Sequence, residues 1–116
     1  MENHKVFDMP FSKVYGLLVA KAERKGRTKD EVHQLASWLT GYSPADIEEL
    51  ALGSITYGDF FRDAPDMNPQ RECIKGVVCG VRVENVEDPL MREIRRMDKL
   101  VDDLAKGKPL EKIIPR

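Results

Sequence analysis

The chain has 116 residues, of which 41% are hydrophobic and 34% charged, the size and balance of one globular domain over residues 1–116. Its 19 basic and 20 acidic residues leave a formal net charge of -1, so no overall field favours nucleic acid or an anionic membrane. Two cysteines are too few for a disulfide scaffold, and no apolar run approaches the roughly 20 residues of a membrane span. We therefore predict a soluble, cytoplasmic protein with no membrane partner.

The first part of the chain predicts two helices with clear start and stop signals. The first covers about residues 12–25, and Gly26 can take the left-handed conformation that often ends a helix. The second begins at a capping box, in which the side chains of Thr28 and Glu31 each satisfy a free backbone donor. It ends at Gly41.

Two shorter helices are predicted next. Ser43 can cap a third helix, because Pro44 at the first helical position lacks a backbone donor that would be unpaired there anyway. Thr56 and Asp59 have the spacing of another N-terminal cap, which predicts one or two helical turns with aromatic residues toward the core. The first half of the chain thus supplies four helices.

The segment after Pro69 fits two structures. Four of its apolar residues have helical spacing: Ile74, Val77, Val78 and Val81. Residues 81–84, in contrast, alternate between apolar and polar like a strand. Because Asn68 and Pro69 form a cap and first-position pair, we predict a helix to about Val81 and leave open a short strand near residues 77–86.

The C-terminal segment is the clearest helix, opened by Asp88 and Pro89 and closed by Gly107. Its apolar residues recur at spacings of four and three: Leu90, Ile94, Met97, Val101 and Leu104. We expect this stripe to be buried within the monomer, with self-association as a homodimer through the 89–106 helix as the alternative. The predicted fold is mainly α, a compact domain of about five helices across which this long helix packs.

Several blocks of the sequence, in order, resemble one bacterial family. They are residues 21–28 (KAERKGRT), 38–42 (WLTGY), 64–65 (AP), 67–69 (MNP), 74–84 (IKGVVCGVRVE) and 87–91 (EDPLM). With these blocks the chain resembles domain of unknown function family 2200 from about Val6 to Ile114. The resemblance implies a bacterial, intracellular, single-domain protein. Because that family is functionally uncharacterised, it carries over no catalytic residue, cofactor or partner.

The familiar catalytic and phosphate-binding motifs are missing from this sequence. It contains no Gly-x-x-x-x-Gly-Lys loop, no Gly-x-Gly-x-x-Gly, no Cys-x-x-Cys and no His-Glu-x-x-His. The two histidines are His4 and His33, so we predict no metal site and interpret His33 as a surface or boundary histidine. These absences disfavour an enzyme without excluding one, and the sequence indicates no cofactor.

A cysteine among three cations is the sharpest local feature. If residues 71–82 are helical, one face carries all four: Arg71, Lys75, Cys79 and Arg82. Cations stabilise a thiolate, so Cys79 could act as a nucleophile or redox sensor, and the same face could hold an anion. We favour the ordinary interpretation of a small core cysteine beside solvated cations. On a strand the cluster would not form.

Two further groups of residues could bind a ligand. The basic cluster over residues 21–29 could contact nucleic acid, but it lacks interleaved aromatics for base stacking, so we favour helix-capping electrostatics. Three aromatic residues are candidates for lining a pocket: Trp38, Tyr42 and Tyr57.

The sequence as a whole favours a small binding or interaction module. A thiol-dependent enzyme or redox sensor at Cys79, and a nucleic-acid binder, are the alternatives.

Overall fold

The structure, a computed structural model, describes residues 5–114, and helices make up most of it. The α-helices of this part are α1 Lys5–Asp8, α2 Phe11–Arg24, α3 Lys29–Thr40, α4 Pro44–Leu50, α5 Tyr57–Arg62, α6 Pro89–Ala105 and α7 Leu110–Ile113. Two 3₁₀-helices, Pro69–Cys73 and Val83–Asn85, flank an antiparallel hairpin of β1 Val77–Val78 and β2 Val81–Arg82. The predicted mainly α fold is confirmed.

Several helices begin at the residues that the sequence marks. Thr28 and Glu31 make both hydrogen bonds of the capping box at the start of α3. Ser43 accepts a backbone hydrogen bond at the start of α4, and Asp88 accepts two at the start of α6. Gly41 ends α3 in the left-handed conformation, at φ +84°. These ends form locally, because each cap satisfies backbone groups within a few residues of itself.

The helix predicted over residues 69–81 is wrong. After one 3₁₀-helix the chain enters the β1–β2 hairpin, whose turn is Cys79–Gly80 with φ +52° and +77°. Positive φ at both central residues is what a type I′ hairpin turn needs, and it is incompatible with a helix. Valine favours extended backbone, and the hairpin buries Val78 of β1 against the rest of the molecule. Val83, the first residue of the following 3₁₀-helix, is buried as well. The short strand left open near residues 77–86 is therefore present.

The long helix α6 lies at the centre of the fold, with α2, α3, α5, α7 and the hairpin packed against it. Four residues of its apolar stripe are at most 3% exposed: Ile94, Met97, Val101 and Leu104. Leu90, the fifth, is partly buried and packs against the same core. The stripe is therefore buried within the monomer, so these side chains are not available for a homodimer through the 89–106 helix while this fold is kept.

Two backbone hydrogen bonds join the segment after α4 to the start of α2. The backbone N–H of Phe11 donates to the Ile55 carbonyl, and that of Tyr57 donates to the Met9 carbonyl, both at 2.8 Å. Because α3 packs against both α2 and α4, these three helices surround one region of the surface.

Among residues 5–114, no helix combines the length and the apolar character that crossing a bilayer requires.

Candidate functional site

A buried histidine joins α2, α3 and α4. His33 lies on α3 and is 4% exposed. Its Nδ1 atom lies 2.6 Å from the hydroxyl oxygen of Tyr15 on α2, and its Nε2 atom lies 3.0 Å from Oε2 of Glu48 on α4. The ring of Tyr15 lies nearly parallel to the imidazole, with centroids 5.6 Å apart. The interpretation of His33 as a surface or boundary residue is wrong, because the two neighbouring helices cover its ring.

The carboxylate of Glu48 places a proton on one ring nitrogen of His33. An ionised carboxylate can only accept, so Nε2–H donates to Glu48, and in the neutral form of the imidazole Nδ1 accepts from the Tyr15 hydroxyl. The hydrogen bond from His33 and the positive charge of Lys29 lower the pKa of Glu48, which favours its ionised form. Burial raises the pKa of Tyr15, and the charge of Glu48 raises it further, so its hydroxyl keeps the proton that it donates.

A cavity of about 210 Å³ opens beside this chain of hydrogen bonds. Its lining comes from α2, α3, α4 and the residues after α4: Ser12, Tyr15, Gly16, Val19, Lys29, His33, Glu48, Ala51 and Leu52. Most of this wall is apolar, with a few polar groups on one side, which is the usual composition of a small-molecule site. A cavity of about 150 Å³ is large enough for benzene, so this one has the size for a molecule with one ring.

Two opposite charges stand at the rim of the cavity. Lys29 Nζ lies 3.5 Å from Oε2 of Glu48, and both side chains are about half exposed. The same carboxylate oxygen therefore faces the Nε2–H group of His33 and the ammonium of Lys29. Leu52, at 89% exposure, adds an uncovered apolar side chain to the lining. Chemically, this site offers one oriented N–H donor and one cation at the edge of an apolar space.

Comparison with known proteins gives a family but no activity. The profile of DUF2200, described as an uncharacterized protein conserved in bacteria, matches residues 5–115. The chain belongs to this family. A solved structure described as the "Crystal structure of uncharacterized protein SP1917" is 52% identical to this DUF2200 protein, with a TM-score of 0.93 over 97% of this chain and 92% of that chain. No curated protein matches the chain of this DUF2200 protein.

The DUF2200 structure does not bring the residues of the predicted thiol site onto one helix face. Arg71 lies in a 3₁₀-helix and pairs with Glu93, with Nε and Oε2 2.8 Å apart, while Arg82 lies in β2 and pairs with Glu84 at 3.4 Å. Lys75 is exposed. Cys79 is exposed in the hairpin turn, so it is not a core residue either. The predicted cluster rested on a helix that this segment does not form.

The three aromatic candidates serve the core of the DUF2200 fold instead of this cavity. The hydroxyl of Tyr42 donates a hydrogen bond to the carbonyl oxygen of Phe60, at 2.8 Å. Trp38 is partly buried and packs against the core. Tyr57 is 1% exposed, and its hydroxyl has no hydrogen-bond partner within residues 5–114. The cavity takes its aromatic ring from Tyr15, which the sequence analysis did not select.

The basic cluster over residues 21–29 is largely paired within the molecule. Lys21 forms an ion pair with Asp102 at 3.1 Å, and Arg27 forms one with Glu31 at 2.7 Å. Arg27 also donates to the carbonyls of Leu104 and Lys108, at the C-terminal end of α6. These contacts join the cluster to α3 and α6, and the helix end that Arg27 caps is that of α6, whereas the favoured interpretation placed the capping at the end of the first helix. In the described part of the chain, no group of three or more His, Cys, Asp or Glu residues could hold a metal ion.

One signal in the sequence could have pointed to His33. It lies three residues before Ala36 and seven before Thr40, both fully buried in α3, so helical spacing alone puts it on the buried side. A histidine at such a position needs partners for both ring nitrogens. Its partners, however, are 18 and 15 residues away in the sequence, and no local pattern connects them to it.

Proposed function

We propose that this protein is a small-molecule-binding module whose ligand site is the cavity between α2, α3 and α4. The observation that carries this proposal is the Tyr15–His33–Glu48 chain of hydrogen bonds, which orients polar groups along one side of an apolar cavity. Burying a histidine costs free energy unless its nitrogens are satisfied, and an apolar residue would fill the same place more simply. An apolar lining with a few oriented polar groups is typical of ligand sites.

We further propose that this module is a single domain over residues 1–116 and works in the cytoplasm. Two observations support these points. One cluster of buried residues draws on helices from both halves of the chain, as expected for one core. Cys73 and Cys79 are both free and exposed, a state that a reducing compartment preserves.

The cavity can be tested by filling it from Gly16. This residue lines the cavity, and a Cβ atom built on it meets nothing within 4 Å, so the backbone tolerates a side chain there. We expect one-ring probes, namely benzoate, benzyl alcohol and benzylamine, to shift backbone amide NMR signals of the cavity residues. Gly16→Phe should weaken the binding of the tightest probe by about tenfold or more, because its ring takes the same space.

Gly16→Ala is the matched control for this experiment. It adds one methyl group and should stabilise α2 by up to about 1 kcal/mol, so its binding should stay close to that of the unmodified protein. Thermal denaturation of both variants shows that they fold. If no probe shifts the signals of cavity residues, or if Gly16→Phe binds as well as Gly16→Ala, the cavity is not the ligand site.

A further inference from the structure

A carboxylate of the protein itself already occupies the polar side of the cavity. Oε2 of Glu48 accepts a hydrogen bond from Nε2 of His33 at 3.0 Å and lies 3.5 Å from Nζ of Lys29. In the neutral form of His33, Nδ1 accepts from the Tyr15 hydroxyl, which leaves the ring proton on Nε2, the nitrogen that faces the carboxylate. One fixed N–H donor and one cation form a set that recognises a single carboxylate group.

Glu48 is poorly suited to occupy the polar side of the cavity permanently. Its side chain is 52% exposed, whereas His33, the donor it contacts, is 5% exposed at the side chain. Glu48 also borders an open depression on the surface with Asp30, Pro44 and Ala45, where its carboxylate can be hydrated. Glu48 itself loses little on leaving this position, because an ionised carboxylate is stable in water and its exposed ion pair with Lys29 contributes about 0–1 kcal/mol. The buried N–H of His33 then needs another acceptor, which the carboxylate of a ligand supplies.

Resting on the proposed function, we propose that the ligand is a small monocarboxylic acid with a compact apolar body, and that its carboxylate displaces Glu48 from His33 and Lys29. The body of the ligand packs against the apolar lining from Val19, Ala51 and Leu52. While no ligand is bound, the Glu48 carboxylate therefore takes the place of the ligand carboxylate and contacts both His33 and Lys29. The displaced side chain turns toward solvent.

The charges at the rim favour an acid over an amine. An ammonium ligand would compete with Lys29 for Glu48 and would face the Nε2–H donor of His33, which offers it no acceptor. A neutral alcohol could accept from His33, but it would gain nothing from the charge of Lys29. A hydrogen bond to a charged group contributes about 1.5–3 kcal/mol, against about 0.5–1.5 kcal/mol for a neutral pair. Because every probe must displace Glu48 at the same cost, this difference makes the acid the tightest binder.

The experiment compares probes of one size and different charge on the full chain. We expect benzoate or phenylacetate to bind about tenfold more tightly than benzyl alcohol, and benzylamine to bind most weakly, as measured by NMR titration. Glu48→Gln should tighten benzoate binding by about tenfold, because a neutral amide competes less well for Lys29. Lys29→Met, which removes the cation, should weaken it by a similar factor.

Glu49→Gln is the matched control, since Glu49 is an exposed neighbour on α4 that does not line the cavity and the variant makes the same change in net charge. If Glu48→Gln and Glu49→Gln bind benzoate equally well, Glu48 does not compete with the ligand for His33 and Lys29. If benzylamine or benzyl alcohol binds most tightly and Gly16→Phe abolishes that binding, the ligand class is wrong but the cavity is a ligand site. If no probe binds in a way that Gly16→Phe disrupts, both proposals are wrong.

Discussion

At the scale of single residues, His33 depends on two side chains from other helices. The Tyr15 hydroxyl and the Glu48 carboxylate satisfy its ring nitrogens at 2.6 and 3.0 Å. A buried polar atom that loses its partner keeps its full desolvation cost, whereas two partners replaced together by apolar groups leave no such atom behind. Tyr15 and His33 therefore contribute to stability as one unit.

Tyr15→Phe should lower the free energy of unfolding by about 1–3 kcal/mol, because Nδ1 of His33 then stays buried without a partner. His33→Phe should also destabilise the protein, since it leaves the Tyr15 hydroxyl unpaired. The double variant should lose less than the sum of the two single variants, by about 1 kcal/mol, in urea denaturation. Additive losses would show that the hydrogen bond between these residues contributes nothing to stability.

At the scale of elements, the end of α3 is also a docking point for a distant loop. Asp66 and Asn68 donate backbone hydrogen bonds to the carbonyls of Thr40 and Leu39, at 3.1 and 3.0 Å. A Cβ atom at Gly41 would lie 2.8 Å from Cβ of Asp66 and 2.9 Å from its backbone nitrogen and oxygen. Gly41 therefore needs both its positive φ and its missing side chain.

Gly26 provides the matched comparison for Gly41. It also has a positive φ, of +82°, but a Cβ atom there meets nothing within 4 Å. Gly26→Ala should cost about 1–2 kcal/mol for the left-handed conformation alone. Gly41→Ala should cost about 1–3 kcal/mol more, because the backbone of the loop must move, and it should shift the amide NMR signals of residues 64–68. Equal losses in urea denaturation would mean that the loop does not pack this closely.

At the scale of the whole molecule, stability depends on the burial of α6 by the elements around it. Leu100, on this helix, is 1% exposed, whereas Leu17 on the surface of α2 is 61% exposed. Removing buried methyl groups costs both transfer free energy and the cavity left behind, and neither term applies to an exposed leucine. The two residues therefore give a matched pair for the same substitution.

Leu100→Ala should lower the free energy of unfolding by about 2–5 kcal/mol, a large fraction of the total of about 5–15 kcal/mol for a domain. Leu17→Ala should change it by no more than about 0.5 kcal/mol. Chemical denaturation, followed both by circular dichroism and by the fluorescence of Trp38, measures both values and shows whether one core unfolds in one step. A large loss for Leu17→Ala would instead indicate that Leu17 is buried in an interface.

The sequence by itself determined the mainly α fold, the family and the ends of most helices. The capping box of Thr28 and Glu31 shows why, because its hydrogen bonds join residues three apart, and residue types at fixed spacing are enough to predict them. The apolar stripe of α6 was predictable for the same reason, since helical spacing alone places its residues on one side.

Only the tertiary structure decided the β1–β2 hairpin and the cavity. Helical and strand patterns overlap in the sequence of the hairpin, and the burial of Val78 against the rest of the molecule favours the extended form. Around His33, the hydrogen bonds join residues 18 and 15 apart, so they exist only once α2, α3 and α4 have packed together. Local spacing carries no information about such contacts, because the packing of separate helices brings these side chains within hydrogen-bonding distance.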